Sequence, residues 1–353
     1  NRPAAVPRRA GVMTRPSLSR EKKAVGSPRC PRILSSSGTI QPCPFLMAIP
    51  DRPTHRPLLV AVTGTNGKTS TTSFLAQLVR SQGYKAVAAG QRIELDGRIL
   101  PRDMVPRRAK AFSAWLQAFA KDDVALVAVE AYSAAIARGA HDHVPYDALA
   151  FTNFAPDHQS VHASEDAYFA AKMRLFETHD PKASVCVPRG AAGQARIAAA
   201  LQASGWDIRW TDPAPHVPFL ERFMADNAGV ALNLAAVLGF GAPSAEALVG
   251  LHAPPGRMTR FDLPNGPRAV VDFAHNGHGL RAALSVLRDE TCGRLVLILS
   301  SKGGWGAKKR LDLAKAARAC ADHVIVTDDD PRHEDPAVIR APQQSVYSTI
   351  DCS

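Results

Sequence analysis

Residues 58–83 constrain the fold of this chain most, because an apolar strand, a glycine-bracketed loop and a helix follow one another without interruption. Gly64 and Gly67 let the backbone turn so that its N–H groups can point at phosphate oxygens, and the helix start adds a positive dipole. In this spacing Lys68 can reach the β- and γ-phosphates, and the Thr69 hydroxyl can ligate Mg²⁺. The run predicts a nucleoside triphosphate site formed by Gly64, Thr65, Asn66, Gly67, Lys68, Thr69 and Ser70. A tight strand-to-helix turn without a ligand is the alternative, since Val62 occupies the usual first glycine position.

The positive charge of the chain is concentrated near its start. Residues 1–46 contain nine Lys or Arg and one acid, a net charge of +8, so the remainder carries only +3 of the total +11. This segment is rich in Pro, Ser and Arg and predicts a disordered basic tail, either a transit-like segment or residues that precede a start at Met47. No basic stripe interleaved with aromatic residues and no membrane-length apolar run occurs, which argues against nucleic-acid and membrane partners. The six cysteines show no paired spacing, which favours a reduced, cytoplasmic protein.

From residue 58 onward, short apolar runs alternate with helical patterns, which predicts an α/β fold with a mainly parallel sheet covered on both faces. The predicted strands are 58–62, 86–90, 124–132, 147–154 and 183–188, and the predicted helices are 71–83, 108–120, 164–178, 191–204 and 219–238. The segment HAPPGRM (252–258) is typical of a linker, so we expect a central domain over 47–253 and a smaller one over 254–353. The smaller domain repeats the pattern with strands at 269–274, 294–301 and 323–329 and helices at 277–289 and 311–321. It loses the pattern from about 341, so we expect it to be truncated.

Lys172 stands in the middle of an apolar helical stripe, with Tyr168, Phe169, Leu175 and Phe176 three or four residues away on either side. Burying a lysine costs free energy unless the amine is neutral or paired. The position therefore indicates a chemically used lysine that points into a site. A lysine that snorkels to the edge of the stripe is the alternative.

Several polar residues follow predicted strands, at the edge where open α/β sheets bind ligands. Glu130 ends an apolar run and can hold Mg²⁺ directly or through water. Asp157, His158 and His162 follow the next strand. In the smaller domain Asp272 and His275 close one strand, and the DDDPR segment (328–332) closes another. This recurrence predicts a cleft shared by the two domains.

The motifs GTNGKTSTT, Glu130, TNFAPDH, AYFAAKMRLF, PPGRM, VDFAHN and VTDDDPRHEDP, in that order over residues 58–340, resemble the Mur ligase family. The resemblance implies a P-loop central domain followed by a Rossmann-like domain. It also implies an amide ligase in which ATP phosphorylates a carboxylate and an amine attacks the acyl phosphate. The motifs look most like those of members that add a diamino acid to UDP-N-acetylmuramoyl-L-alanyl-D-glutamate in peptidoglycan precursor synthesis.

The resemblance also implies roles for individual residues. Lys68 would bind phosphates, and the magnesium ions would be held by Thr69, Glu130, His158 and a carbamylated Lys172. Asn227 would contact the nucleotide, and ATP would be closed in by Arg257, Asp272 and His275. The substrate contacts would come from Ser133, Asp330 and Arg332.

The chain departs from the family pattern in ways that leave the substrate open. Tyr132, Ser133 and Ala134 replace a serine-serine-histidine run, and Asp330 replaces the asparagine of diaminopimelate-adding members. We also expect no UDP-binding domain before Leu58, so a separate protein could supply that function. The stretch ELDGRILPRDM (94–104) and Asn276, the asparagine in DFAHN, look closer to the ligase half of cyanophycin synthetase, which uses aspartate and arginine. The remaining alternatives are an ATP-binding fragment without ligase activity and, on charge alone, a nucleic-acid-associated ATPase.

Overall fold

The computed structural model describes residues 56–90, 93–95, 98–100, 109–119, 123–157, 161–180, 183–219, 221–264 and 266–346. The predicted basic tail and His158 lie outside the described residues. The described residues have the α/β fold that the alternating pattern predicts.

Eight of the described strands form one sheet. They are β1 (Leu58–Thr63), β2 (Lys85–Ala89), β3 (Ile93–Leu95), β4 (Arg98–Leu100), β5 (Val124–Glu130), β6 (Ala148–Phe151), β7 (Ser184–Pro188) and β8 (Ile208–Thr211). Their order is β4-β3-β2-β5-β1-β6-β7-β8, and all neighbours pair in parallel except β2 with β3 and β3 with β4. Because β1 lies between β5 and β6, the residues that follow these three strands meet at one edge of the sheet.

Helices cover both faces of this sheet. They are α1 (Lys68–Arg80), α2 (Ala109–Ala118), α3 (Ser133–Ala137), α4 (Glu165–Glu177), α5 (Gln194–Ala203) and α6 (Arg222–Val237). Leu59 and Ala61 of β1 belong to a core built with residues of α2 to α5, whereas Val60 and Val62 belong to a second core with α1 and α6. Both faces of β1 are therefore buried, which explains why its sequence is continuously apolar rather than alternating.

The second region begins after the short helix α7 (Ala245–Val249). It contains β9 (Thr259–Asp262), β10 (Arg268–Val271), α8 (Gly277–Glu290), β11 (Val296–Ser301), α9 (Ala307–Cys320), β12 (His323–Asp328) and α10 (Pro336–Gln344). Strands β11 and β12 pair in parallel, and Leu299 of β11 packs in a small core with Leu280 and Leu284 of α8 and Leu313 of α9. No helix in the described ranges is long and apolar enough to cross a bilayer.

The predicted strand 269–274 is wrong in length. Strand β10 stops at Val271 and pairs antiparallel with β9. The Asp272 carboxylate accepts hydrogen bonds from the backbone N–H groups of Met258 and Ala274, at 2.9 and 2.8 Å, which turns the chain away from the strand direction.

The sequence pattern does not predict the helix α10, which continues to residue 344 although the apolar pattern fades near 341. Asp335 caps its first turn, and Pro336 starts it with a favourable φ. Besides α10, the elements that the sequence pattern does not predict are β3, β4, β8, β9, α3 and α7, which are too short to show a period.

Candidate active site

The loop between β1 and α1 takes the tight path that its glycines allow. Gly64 and Gly67 have φ values of 141° and 86°, in the region that favours glycine. A Cβ on Gly64 would lie 1.9 Å from Thr152 Oγ1, and one on Gly67 would lie 2.3 Å from Asn227 Oδ1. Neither position therefore tolerates a side chain without movement of the loop or of its neighbours.

The Lys68 ammonium is buried inside this loop. Its Nζ donates hydrogen bonds to the carbonyl oxygens of Gly64 and Thr65, both at 2.9 Å. Burial lowers the pKa of Lys68 to about 8, and the Glu130 carboxylate partly opposes this effect. The amine therefore occupies the concave side of the loop and is able to exchange carbonyl partners for an anion.

Glu130 and Thr69 form the oxygen-rich part of the site. The Glu130 Oε2 atom accepts hydrogen bonds from Thr69 Oγ1 at 3.0 Å and from the Tyr132 hydroxyl at 2.8 Å. Arg257, from the second region, donates to Thr69 Oγ1 at 2.9 Å. Hydroxyl and carboxylate oxygens are the ligand atoms that Mg²⁺ prefers. Gly90 lies so close to this carboxylate that a Cβ there would be 1.9 Å from Glu130 Oε1.

Lys172 is buried rather than snorkelling to the edge of its helix. It is 1% exposed, and its Nζ donates to the Gly64 carbonyl at 2.8 Å and lies 4.5 Å from the Tyr168 ring centroid. Burial, reinforced by the nearby Lys68 charge and partly opposed by Asp157, lowers the pKa of Lys172 well below its usual range. The neutral amine, which is the nucleophilic form, is thereby favoured.

Ser133 lies at the start of α3, beside the same edge of the sheet. Its hydroxyl is buried and lies 3.0 Å from His162 Nε2. Burial and the neighbouring Lys172 lower the pKa of His162. This pair is polar, and the His162 ring packs against the Tyr168 ring with centroids 5.4 Å apart.

A cleft with about 960 Å³ of empty space, its open mouth included, adjoins the loop. Its walls come from both regions of the chain and include Asn66, Ser70, Asn227, Arg257, Asp272 and His278. The cleft shared by two regions, which the strand-end residues predict, is therefore present. His275 lies beside it, with Nε2 3.4 Å from an oxygen of Asp157.

The two residues that the resemblance assigns to the amino-acid substrate lie elsewhere. Asp330 and Arg332 are exposed and follow β12, where the Arg332 Nε lies 4.0 Å from an Asp330 carboxylate oxygen. Neither Asp330 nor Arg332 is among the described residues that line the cleft. His158 cannot be placed, because it lies outside the described residues.

Sequence reasoning assigned no role in the site to three contributors. Gly90 gave no signal beyond its place at a strand end, and the Tyr132 hydroxyl was visible only as a departure from a family motif. Asn276 is 1% exposed and donates from Nδ2 to both Asn66 and Asp157, contacts that no local pattern indicates.

The chain matches two domains of one family. The Mur ligase middle domain matches residues 62–211, and the Mur ligase glutamate ligase domain matches residues 256–350. The chain is 33% identical over 322 residues to the UDP-N-acetylmuramoyl-L-alanyl-D-glutamate–2,6-diaminopimelate ligase of Caulobacter vibrioides, which covers 80% of this chain and 66% of that relative. The ligase of the same name from Zymomonas mobilis is 31% identical over 323 residues, with 80% and 65% covered. The chain thus spans slightly less than two thirds of the length of these relatives.

Solved structures share the fold. A UDP-N-acetylmuramoyl-L-alanyl-D-glutamate–2,6-diaminopimelate ligase superposes with a TM-score of 0.56 at 24% identity, over 82% of this chain and 65% of the other. The folylpolyglutamate synthase of Mycobacterium tuberculosis, complexed with ADP and AMPPCP, superposes with a TM-score of 0.65 at 17% identity, over 84% and 80%.

Proposed function

The chain belongs to the Mur ligase family, and from this premise we propose that it is an ATP-dependent, ADP-forming amide ligase. Its acceptor would be UDP-N-acetylmuramoyl-L-alanyl-D-glutamate and its incoming amine 2,6-diaminopimelate, the compounds named in its relatives. The division into a central domain over 47–253 and a second domain over 254–353 belongs to the same proposal.

One observation carries the proposal. The described site brings two buried lysines, Lys68 and Lys172, and the Thr69–Glu130 pair around a single loop, and Arg257 reaches that loop from the second region. Cationic groups and hydrogen-bond donors that surround a transferring phosphoryl group are the usual basis of its catalysis.

In the proposed reaction, a carboxylate oxygen of the acceptor attacks the γ-phosphorus of ATP, and the bond to the ADP oxygen breaks. The amine nitrogen then attacks the acyl carbon, phosphate leaves, and the ammonium proton passes to solvent. Lys68 and Arg257 would neutralise phosphate charge, and Asn227 would orient the nucleotide. Mg²⁺, when bound, would supply charge neutralisation, and the oxygens of Thr69 and Glu130 would help to hold it.

Lys172 would serve this site as a carbamate. Its neutral amine would attack CO₂, lose one proton to water and become an anion, which suits a magnesium site. The low pKa and full burial of Lys172 support this modification. The acceptor carboxylate would lie near Ser133 and His162, which are on the same side of the loop as Lys172.

The test is phosphate release from ATP, Mg²⁺ and bicarbonate with a matrix of acceptor pairs. UDP-N-acetylmuramoyl-L-alanyl-D-glutamate is paired with diaminopimelate or lysine, and an aspartate peptide is paired with arginine. We expect release only with the first acceptor and diaminopimelate. Release with the aspartate peptide would reassign the substrate, and nucleotide binding without release for any pair would reject ligase activity.

The matched variants are Lys172→Met and Lys85→Met, because Lys85 is an exposed lysine at the start of β2. We expect release to disappear in the first and to persist in the second. With ¹³C-labelled bicarbonate, a carbamate carbon resonance is expected in the parent and in Lys85→Met but not in Lys172→Met. A parent spectrum without that resonance would contradict the carbamate independently of activity.

A further inference from the structure

Asp157 connects the two regions of the chain more closely than any proposed catalytic role requires. It follows β6 in the middle domain, and its carboxylate has no exposed surface. Oδ1 accepts a hydrogen bond from Lys309 Nζ at 2.5 Å, and Oδ2 accepts one from Asn276 Nδ2 at 3.1 Å and lies 3.4 Å from His275 Nε2. All three partners belong to the glutamate ligase domain.

The charge balance of this contact favours docked domains. The Lys309 side chain is only 14% exposed and also lies over the Trp305 ring, 4.4 Å from its centroid. A buried ion pair that loses one partner leaves an uncompensated charge, which is costly. A partial separation of the domains would break the ion pair while its two charges were still buried, which is costly. A full separation would return the Asp157 carboxylate and the Lys309 ammonium to water and would therefore cost less.

The segment just before Asp157 is tied to the loop between β1 and α1 (residues 64–67), which we call the phosphate loop. The Thr65 hydroxyl accepts from the Ala155 N–H at 3.0 Å and donates to the Ala155 carbonyl at 3.1 Å, two residues before Asp157. Asn276 completes a ring of contacts, because it donates to the side-chain oxygen of Asn66 at 3.0 Å. A shift of the phosphate loop would therefore reach Asn276 of the second domain by two routes. One runs from Thr65 through Ala155 and Asp157, and the other runs directly from Asn66.

We propose that Asp157 is a positioning residue that latches the glutamate ligase domain onto the phosphate loop. By holding Asn276 and Lys309, it sets the approach of Arg257 to Thr69, and thus the cationic surface that phosphates meet. The inference rests on the proposed function only in that a nucleotide binds at this loop. It requires neither turnover nor a particular acceptor.

The experiment measures domain docking and nucleotide affinity in the full chain. Fluorescent donor and acceptor labels are placed on exposed Cys292 and on a Gln202→Cys substitution, which lies on the exposed side of α5. The background carries serine at Cys30, Cys43, Cys320 and Cys352. The variants are Asp157→Asn, Lys309→Met and the double variant. Matched controls are Asp166→Asn, an exposed aspartate paired with Arg196, and Lys308→Met, an exposed lysine next to Lys309.

We expect both single variants to lengthen the distance between labels and to weaken binding of a fluorescent ATP analogue by about 5- to 150-fold, the usual range of coupling between sites. The double variant should be no worse than the more damaged single variant, because the two residues act as one pair. Both controls should match the parent.

An unchanged label distance and affinity in Lys309→Met, which is partly exposed and should fold, would overturn the latch even if Asp157→Asn proved unstable. Additive effects in the double variant would also overturn it. A lengthened distance in a chain that shows no acceptor-dependent phosphate release would reject the ligase proposal while leaving the latch intact.

Discussion

Gly90 offers a way to displace the Glu130 carboxylate without changing its chemistry. A Cβ at position 90 would lie 1.9 Å from Glu130 Oε1, 2.3 Å from Cδ and 2.5 Å from Cγ. Because the overlaps run along the side chain, rotation of the terminal carboxylate alone cannot relieve them. We expect Gly90→Ala to swing Glu130 away from Thr69 and Tyr132, which both donate to its Oε2.

The size of the effect follows from these contacts. Overpacking of a buried site costs about 1–3 kcal/mol of unfolding free energy. Displacing a residue that orients a metal ligand typically reduces metal affinity by about 10- to 100-fold. We therefore expect the Mg²⁺ concentration at half-maximal nucleotide binding to rise by that factor, together with a modest loss of stability.

The assay is a titration of Mg²⁺ against a fluorescent ATP analogue, with urea unfolding as a parallel measurement. Gly293→Ala is the matched control, because a Cβ there meets nothing within 4 Å and its φ is not in the left-handed region. If folded Gly90→Ala kept the magnesium midpoint of the parent, Glu130 would not hold the metal, and its assignment would be refuted.

Two further predictions follow from Lys68 and from the packing of α6. Since Lys68 must be charged to bind phosphate and its pKa is about 8, nucleotide affinity should be constant below pH 8 and fall about tenfold per pH unit above it. The Lys68→Arg variant stays charged, so its nucleotide affinity, measured by calorimetry, should not fall in this way as the pH rises. If the fall in affinity persisted in this variant, another group would be responsible for the titration. Gly229→Ala should lower the unfolding free energy by about 1–3 kcal/mol in urea, because its Cβ would lie 1.9 Å from the Asp212 carbonyl oxygen. If the variant were as stable as the parent, the backbone at Asp212 would be able to move away from the added Cβ without a cost in free energy.

The sequence predicted the elements that carry a strong period or a tight spacing. The strands around the phosphate loop agree with the structure because both of their faces are buried and their apolar runs are continuous. Lys172 was identifiable because its apolar neighbours on α4 surround it, and the structure buries it as that pattern indicates. In both cases the signal lies within one element.

Contacts between distant parts of the chain could not be predicted in this way. Asp157 and His158 are adjacent, yet only the structure distinguishes Asp157, whose partners lie 119 and 152 residues further along the chain. The Asn66 to Asn276 bond spans 210 residues. A short acidic loop has the same local pattern whether it is solvated or buried against another domain, so pattern analysis has no means of separating the two cases.

Local contacts and long-range contacts position different parts of the site. Lys68, Thr69 and Glu130, which would contact phosphate and metal, lie on or next to the phosphate loop and are positioned by the paired strands β1 and β5. Arg257 instead reaches Thr69 from the 252–258 segment that leads into the second domain, so under the proposed latch its position depends on the docking of that domain. Charge stabilisation of a phosphoryl group is sensitive to displacements of about 1 Å. If the proposed latch is right, the middle domain by itself would keep weaker nucleotide binding, while the arrangement suited to phosphoryl transfer would also need the contacts of Asp157 with Asn276 and Lys309.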